Sequence, residues 1–239
     1  NTITGGGGAD ILTGGTGSDT FNFASAVNLG AAATVAGGAG NDTVQMTAAA
    51  TLTDASFLNA SSVETLRLTG ASTITLGANA AAAGIVNVTT GNAATSITSS
   101  NGVTLNVDAA ALANNTALTL VGSAAKVVSG LIGNITASTL TSALTVTTGD
   151  ATDNSISITT GSAATSITAS GASDVVTVNA TALADNLALA GSAAETVTGL
   201  RGDLTATGVS GALNVTTVAV ASGLSIATGS GSNTITATA

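Results

Sequence analysis

Apolar side chains in this chain come in short bursts with a period of two. Leu66 and Leu68, then Ile74 and Leu76 after Gly70, alternate with polar neighbours, as in strands that bury one face. The same pattern returns at 103–107, 118–121, 134–136, 144–147 and 155–159, with Gly, Ala, Ser and Asn between the pieces. These spacers are turn formers or small residues, so the pattern predicts many short strands. The helix-like pieces are 109–115 and 180–186, which read as short turns or helical corners.

The pattern also repeats at long range. Asn92-Ala93-Ala94-Thr95-Ser96-Ile97-Thr98 returns as Ser162-Ala163-Ala164-Thr165-Ser166-Ile167-Thr168, and Gly122-Ser123-Ala124-Ala125 as Gly191-Ser192-Ala193-Ala194. Ala143-Leu144-Thr145-Val146-Thr147-Thr148 returns as Ala212-Leu213-Asn214-Val215-Thr216-Thr217. The offset is the same in all three cases to within a position, about 70 residues, which marks a structural repeat. Two strands per coil give coils of about 20 to 23 residues, three to each long repeat. The expected fold is all-β, a right-handed parallel β-solenoid. Ile97 and Ile167, and likewise Val146 and Val215, are expected inside at equivalent coil positions. The complete lack of Pro suits such ladders, since Pro removes a donor.

The N-terminal part has a tighter period. Gly5-Gly6-Gly7-Gly8-Ala9-Asp10-Ile11-Leu12-Thr13 is followed at once by Gly14-Gly15-Thr16-Gly17-Ser18-Asp19-Thr20-Phe21-Asn22, and a third unit spans 37–45. Each reads G-G-x-G-x-D-x-U-x, with U a large apolar residue. Paired glycines permit a tight turn with exposed carbonyls, the Asp supplies a hard anionic oxygen, and the last three residues form a short strand with its middle side chain inward. Such turns suit Ca²⁺, which takes six to eight oxygens. The expected ligands are Asp10, Asp19 and Asp42, with backbone oxygens of Gly5, Gly7, Gly14, Thr16, Gly17, Gly37 and Ala39. The step from Asn1 to Asp19 is that of two nonapeptides, and the step from Asp19 to Asp42 is a little longer. Both fit one side of a roll in which one coil is enlarged by a loop. Asp10 falls on the opposite side and has no nearby Asp partner there.

These nonapeptides resemble the calcium-binding repeats of RTX proteins. Residues 57–69, which contain Val63-Glu64-Thr65-Leu66-Arg67-Leu68-Thr69, resemble segments that accompany such repeats in bacterial S-layer proteins. The resemblance implies secretion to the bacterial cell surface, calcium-driven folding outside the cell, and assembly into a lattice, filament or adhesive stalk. Expected partners are copies of the chain, the remainder of a parent chain, and cell-surface polysaccharide. The sequence opens and closes in the middle of a repeat, as a segment of a longer array would. The expected organisation is a calcium-binding β-roll over 1–45, transition coils over 46–89, and two long repeats over 90–159 and 160–239, all in one elongated domain.

Composition narrows the chemistry further. Aromatics are 1% and charged residues 6% of the chain, so the core must be thin and filled by small β-branched side chains. A net charge of −9 with only Arg67, Lys126 and Arg201 as cations argues against nucleic acid as a partner. No apolar run is long enough to span a membrane. With no His, Cys, Tyr or Trp, the usual nucleophile and base pairs are missing. The carboxylates Asp150 with Asp153, or Asp203 beside Arg201, could be offered as catalytic sets. But Asp150 and Asp153 lie in a Gly-Asp-Ala-Thr-Asp turn, and Arg201 and Asp203 stand where the other repeat has Ile132 and Asn134, so no enzyme is expected. A Thr-rich face for ice or sugar needs ranks at one fixed place in every coil, and Thr145 faces Asn214 across the long repeat.

Overall fold

The computed structural model describes residues 1–32, 34–150, 155–220 and 223–238. Short strands stack coil upon coil into two walls. One wall is a twelve-stranded sheet running from Thr2–Thr4 to Ile226–Ala227, and the opposite wall holds a ten-stranded sheet from Ala50–Leu52 to Asn233–Thr236. A three-stranded sheet, Ile11–Thr16, Thr34–Ala39 and Ala60–Ser61, lines the first coils. Pairing is parallel throughout: Thr20 sits beside Thr43, Val146 beside Ile167, Val197 beside Val215. The chain is therefore an all-β parallel β-solenoid with eleven steps between the twelve strands of its long wall. At about 4.8 Å per step the stack is roughly 50 Å long.

Alternation decides which side chain enters the core. In Leu144–Thr148 the residues Leu144, Val146 and Thr148 are buried while Thr145 and Thr147 face out. Ser155–Thr159 buries Ile156 and Ile158 in the same way. Stacked inward residues form continuous ranks, such as Ile74, Ile97 and Leu120 on one wall and Val146, Ile167 and Leu189 on the other.

Coil length varies more than the sequence suggests. In the twelve-stranded wall the coil that brings Leu187 beside Leu204 is markedly shorter than the one that brings Thr20 beside Thr43. The long repeat spans three and a half coils instead of three. Thr95–Ser99 lies in the ten-stranded sheet and its counterpart Thr165–Ala169 in the twelve-stranded one; Leu144–Thr148 and Leu213–Thr217 are exchanged in the opposite sense. Ile97, Ile167, Val146 and Val215 are all buried as expected, but each pair occupies opposite walls and not equivalent positions. The reason is parity: a half-coil is the structural unit, and seven of them fill one long repeat, an odd number that swaps the walls.

This also corrects the reading of the Thr pattern, because Thr145 and Asn214 never shared a face. On the outer side of the ten-stranded sheet Thr51, Thr73, Ser96, Thr119, Thr136, Thr159, Asn179 and Thr198 stand in one register rank.

Helix appears where the pattern gave no warning. Residues 109–115 and 180–186 are turns closed by Leu112 N to Ala109 O and Leu183 N to Ala180 O, both 3.1 Å. The helices are Ala26–Ala31, Ala78–Ala83 and the 3₁₀ turn Asp54–Phe57. Ser25 caps the first by accepting from Asn28 N. The second is an Ala-rich run whose N-terminus is held by Asp54 of the previous coil: its Oδ1 accepts from Gly77 N at 2.7 Å and Ala80 N at 3.0 Å, and its Oδ2 from Asn79 N at 3.0 Å. Burial opposes ionisation of this carboxyl, but the three N–H donors outweigh it and hold its pKa below the ordinary value. The chain's three Phe residues, Phe21, Phe23 and Phe57, are all buried in these wider N-terminal coils.

Candidate metal centre

The candidate centre is a column of side chains at the corner that leads into the twelve-stranded sheet. Asn1, Asp19, Asp42 and Glu64 each stand one residue before Thr2, Thr20, Thr43 and Thr65, and those four threonines are paired in register. The coils thus stack the four side chains one above another. Each carboxylate uses one oxygen to hold the backbone of the preceding coil: Asp19 N donates to Asp42 Oδ1 at 2.8 Å and Asp42 N to Glu64 Oε2 at 2.7 Å. The backbone nitrogen of Asn1 donates to Asp19 Oδ1 in the same way.

The second oxygen of each Asp is different. Asp19 and Asp42 are 1% and 0% exposed, and the Oδ2 of each is buried without a hydrogen-bond partner. Gly14 shows where Asp19 Oδ2 points: a Cβ added there would overlap Asp19 Oδ2 and lie 2.5 Å from the carbonyl oxygen of Gly37. A Cβ at Gly37 would likewise meet Asp42 Oδ2, at 2.5 Å, and the carbonyl oxygen of Ser62. In each case a carboxylate oxygen and a carbonyl oxygen from the next coil converge beside a glycine. A buried carboxylate oxygen that has no donor and is turned toward a carbonyl oxygen is costly. A hard cation between them removes the conflict, and oxygen donors of this kind are what Ca²⁺ takes.

Asn1 supplies an internal control. Its Nδ2 donates to the carbonyl oxygen of Gly14 at 3.3 Å, the carbonyl that corresponds to those of Gly37 and Ser62. Where the column carries an amide the carbonyl finds a donor; where it carries a carboxylate the gap calls for a cation.

The other expected ligands divide. Asp10 lies on the opposite side, half-buried, with Oδ2 lacking a hydrogen-bond partner. On that side the next coil contributes the helix Ala26–Ala31 and no second nonapeptide turn. Gly5 is buried against the ring of Phe23, which a Cβ would overlap. Gly7 is exposed with nothing packed on it. Thr16 pairs with Ala39, and the carbonyl of Ala39 accepts from Gly17 N at 2.7 Å in the coil-to-coil ladder. Among the described residues no three acidic side chains cluster, so an ion here depends on backbone oxygens as well as carboxylates.

Glu64 and Ser62 escaped the sequence reading because their coil has no glycine motif. A signal was present, however. Glu64 follows Asp42 at nearly the interval at which Asp42 follows Asp19, and it precedes a Thr as both of them do.

Of the carboxylates considered for catalysis, the described ones lie apart from the column. Asp150 is exposed and Asp153 lies outside the described residues. Asp203 uses Oδ1 to accept from Ser225 N at 2.8 Å, one coil on, beside the exposed Arg201. Elsewhere in the core, Lys126 and Glu195 are each 1% exposed. Lys126 Nζ donates to Ala124 O at 2.6 Å, and burial pushes its pKa down to about 8. Neither carboxylate oxygen of Glu195 has a hydrogen-bond partner, and burial pushes its pKa up to about 7.

Fold and column together define a parallel β-solenoid whose first coils carry cation-binding turns. A family model gives these turns a name: residues 1–24 and 32–45 match the RTX calcium-binding nonapeptide repeat, in four copies. RTX nonapeptide repeats bind Ca²⁺, in agreement with the oxygen pairs in the gaps. No curated protein and no solved structure matches the chain. Among the described residues no helix is long and apolar enough to cross a membrane.

Proposed function

We propose that the chain is a structural, calcium-stiffened segment of a secreted bacterial surface-layer protein, built to assemble with copies of itself into a lattice or filament. Asp19 and Asp42 are its principal side-chain ligands. Gly14 and Gly37 leave the room for the ion, and the Gly37 carbonyl supplies an oxygen. Asp10 serves the opposite side with carbonyls of its own turn, Gly5 and Gly7 among them, and Thr16, Gly17 and Ala39 complete the turns around the column. The carrying observation is that Asp19 Oδ2, buried and without a hydrogen-bond partner, converges with the Gly37 carbonyl oxygen beside Gly14. The chain organises as a calcium roll over 1–45, transition coils over 46–89 and two long repeats after them, all stacked as one rod.

A lattice role suits a rod of stacked coils locked by an ion plentiful outside cells and scarce within them. Electron microscopy of the protein at high concentration with calcium tests it. Ordered sheets or filaments that dissolve on chelation are expected, and particles that stay single would contradict it.

The rank from Thr51 to Thr198 favours a second reading, a stalk or ligand-recognising module. Beside it runs a groove of about 360 Å³ lined by Ala71, Thr73, Ser96 and Thr119 among others, and none of its lining is charged. Co-sedimentation with insoluble neutral polysaccharide tests this reading. Binding abolished by Thr73→Lys supports it, and no binding removes it.

A further inference from the structure

We propose that a calcium ion also binds beyond the matched nonapeptides, in the gap between residues 37–42 and the short corner Ser62-Val63-Glu64, with Asp42 Oδ2, the Ser62 carbonyl and the Glu64 carboxylate as protein ligands. The proposal rests on the reading that the Asp19 gap holds calcium, and extends it one coil further. Nothing in the sequence of that corner is a glycine nonapeptide, and the family match stops at residue 45.

The geometry of the Asp19 gap repeats one coil further on. Ala36 pairs with Ser61, so Ser62 stacks on Gly37 as Gly37 stacks on Gly14. Beside Gly37, Asp42 Oδ2 converges on the Ser62 carbonyl as Asp19 Oδ2 converges on the Gly37 carbonyl beside Gly14. Asp42 is fully buried and this oxygen has no hydrogen-bond partner. Glu64 then stands to Asp42 as Asp42 stands to Asp19, accepting the backbone N–H of the earlier acid. Its longer side chain suits a shorter corner, since Gly37 to Asp42 spans five steps and Ser62 to Glu64 only two.

Ser62 strengthens the case. It has φ 50°, a left-handed conformation shared among described non-glycine residues only with Asn115. That conformation costs about 1 kcal/mol or more for a residue with a Cβ, and here it belongs to the residue whose carbonyl faces Asp42. The column then stops. Val86 precedes Asn87 where Glu64 precedes Thr65, so no carboxylate continues it. Two carboxylates and one carbonyl are three protein groups, and water completes the six to eight oxygens that calcium takes.

The test is the number of calcium ions bound by the full chain, measured by equilibrium dialysis with radioactive calcium. Glu64→Gln keeps an oxygen to accept the Asp42 N–H but removes the charge, so a role limited to capping predicts an unchanged count. We expect one calcium fewer in Glu64→Gln, and one fewer again in the double variant with Asp19→Asn. An unchanged count in Glu64→Gln, with calcium still bound elsewhere, overturns this site alone. No calcium bound by the unaltered chain overturns the reading of the Asp19 gap as well. Should Glu64→Gln fail to fold, anomalous scattering from terbium soaked into crystals of the unaltered protein decides. A peak between Asp42 and Ser62 is expected, and a peak confined to the Asp19 gap overturns the proposal.

Discussion

The first four coils and the last seven solve the same stacking problem with different materials. In the first, the corner into the twelve-stranded sheet is a column of carboxylates and amide, the interior holds three Phe, and helices widen the cross-section. In the later coils aliphatic Val, Ile and Leu residues rank against one another and strands join through brief turns. In the early coils the buried carboxylate oxygens of Asp19 and Asp42 recur at one corner, coil upon coil, whereas the later coils bury single charged groups, Lys126 and Glu195, far apart in an otherwise largely apolar core. On the proposed reading, one solenoid divides into a part whose stability calcium sets and a part that is indifferent to it.

Removing the middle carboxylate should break the contrast most severely. Asp42→Ala removes the proposed ligand of both gaps and strips the acceptor from Asp19 N. At saturating calcium it should destabilise the N-terminal coils by about 3 to 5 kcal/mol, the scale for breaking a buried charged pair. Unfolding followed by hydrogen exchange should show the loss confined to residues 1–68. An effect below about 1 kcal/mol would mean that the column is decorative.

The later coils have a weakness of their own, and it answers to pH. Glu195 has a folded pKa above its unfolded one, so its protonated form fits the core and stability falls as pH rises from 4.5 to about 7. The full penalty, roughly 3 kcal/mol, is present above pH 7 and absent below 4.5. Glu195→Gln should flatten that slope, leaving stability near the unaltered value at pH 4 and raising it at pH 8. Thermal melts at the two pH values check this. Lys126, at the corresponding place one long repeat earlier, has the opposite slope. Its folded pKa is lowered to about 8 from 10.5, so its penalty is present below pH 8 and relieved as pH rises toward 10.5.

The smallest expected effect is at the junction of the two regions. Asp54→Ala uncaps three N–H groups at the start of Ala78–Ala83 and should cost about 1 to 2 kcal/mol at neutral pH. Because the carboxyl's pKa is depressed, this contribution is present above its ordinary value of 3.8 and lost as pH falls further. Faster exchange at Ala80 and Ala81 in the variant is the readout.

Much of this architecture was legible in sequence because alternation is a local signal. Strands Asn134–Thr136 and Ser155–Thr159 fall where Ile135, Ile156 and Ile158 said they would. Coil length was not local. Nothing in the long repeat says whether six or seven half-coils fill it, and that parity puts Ile97 and Ile167 on opposite walls. The helix Ala78–Ala83 was hidden for a related reason, since its cap comes from Asp54 a full coil away. At the candidate centre the Asp residues could be read from their glycines. Glu64 had no glycines to mark it, because its flanking turn is cut short; its signal was the fainter one of spacing from Asp42 and the Thr that follows.

The central claim, that calcium holds the first coils and not the later ones, is tested most directly by amide hydrogen exchange of the full chain with saturating calcium and with a chelator. Protection should collapse over residues 1–68 on chelation while the strands from Leu105–Asp108 to Leu213–Thr217 keep theirs. Equal protection over residues 1–68 in the two conditions, or an equal loss along the whole chain, would contradict it.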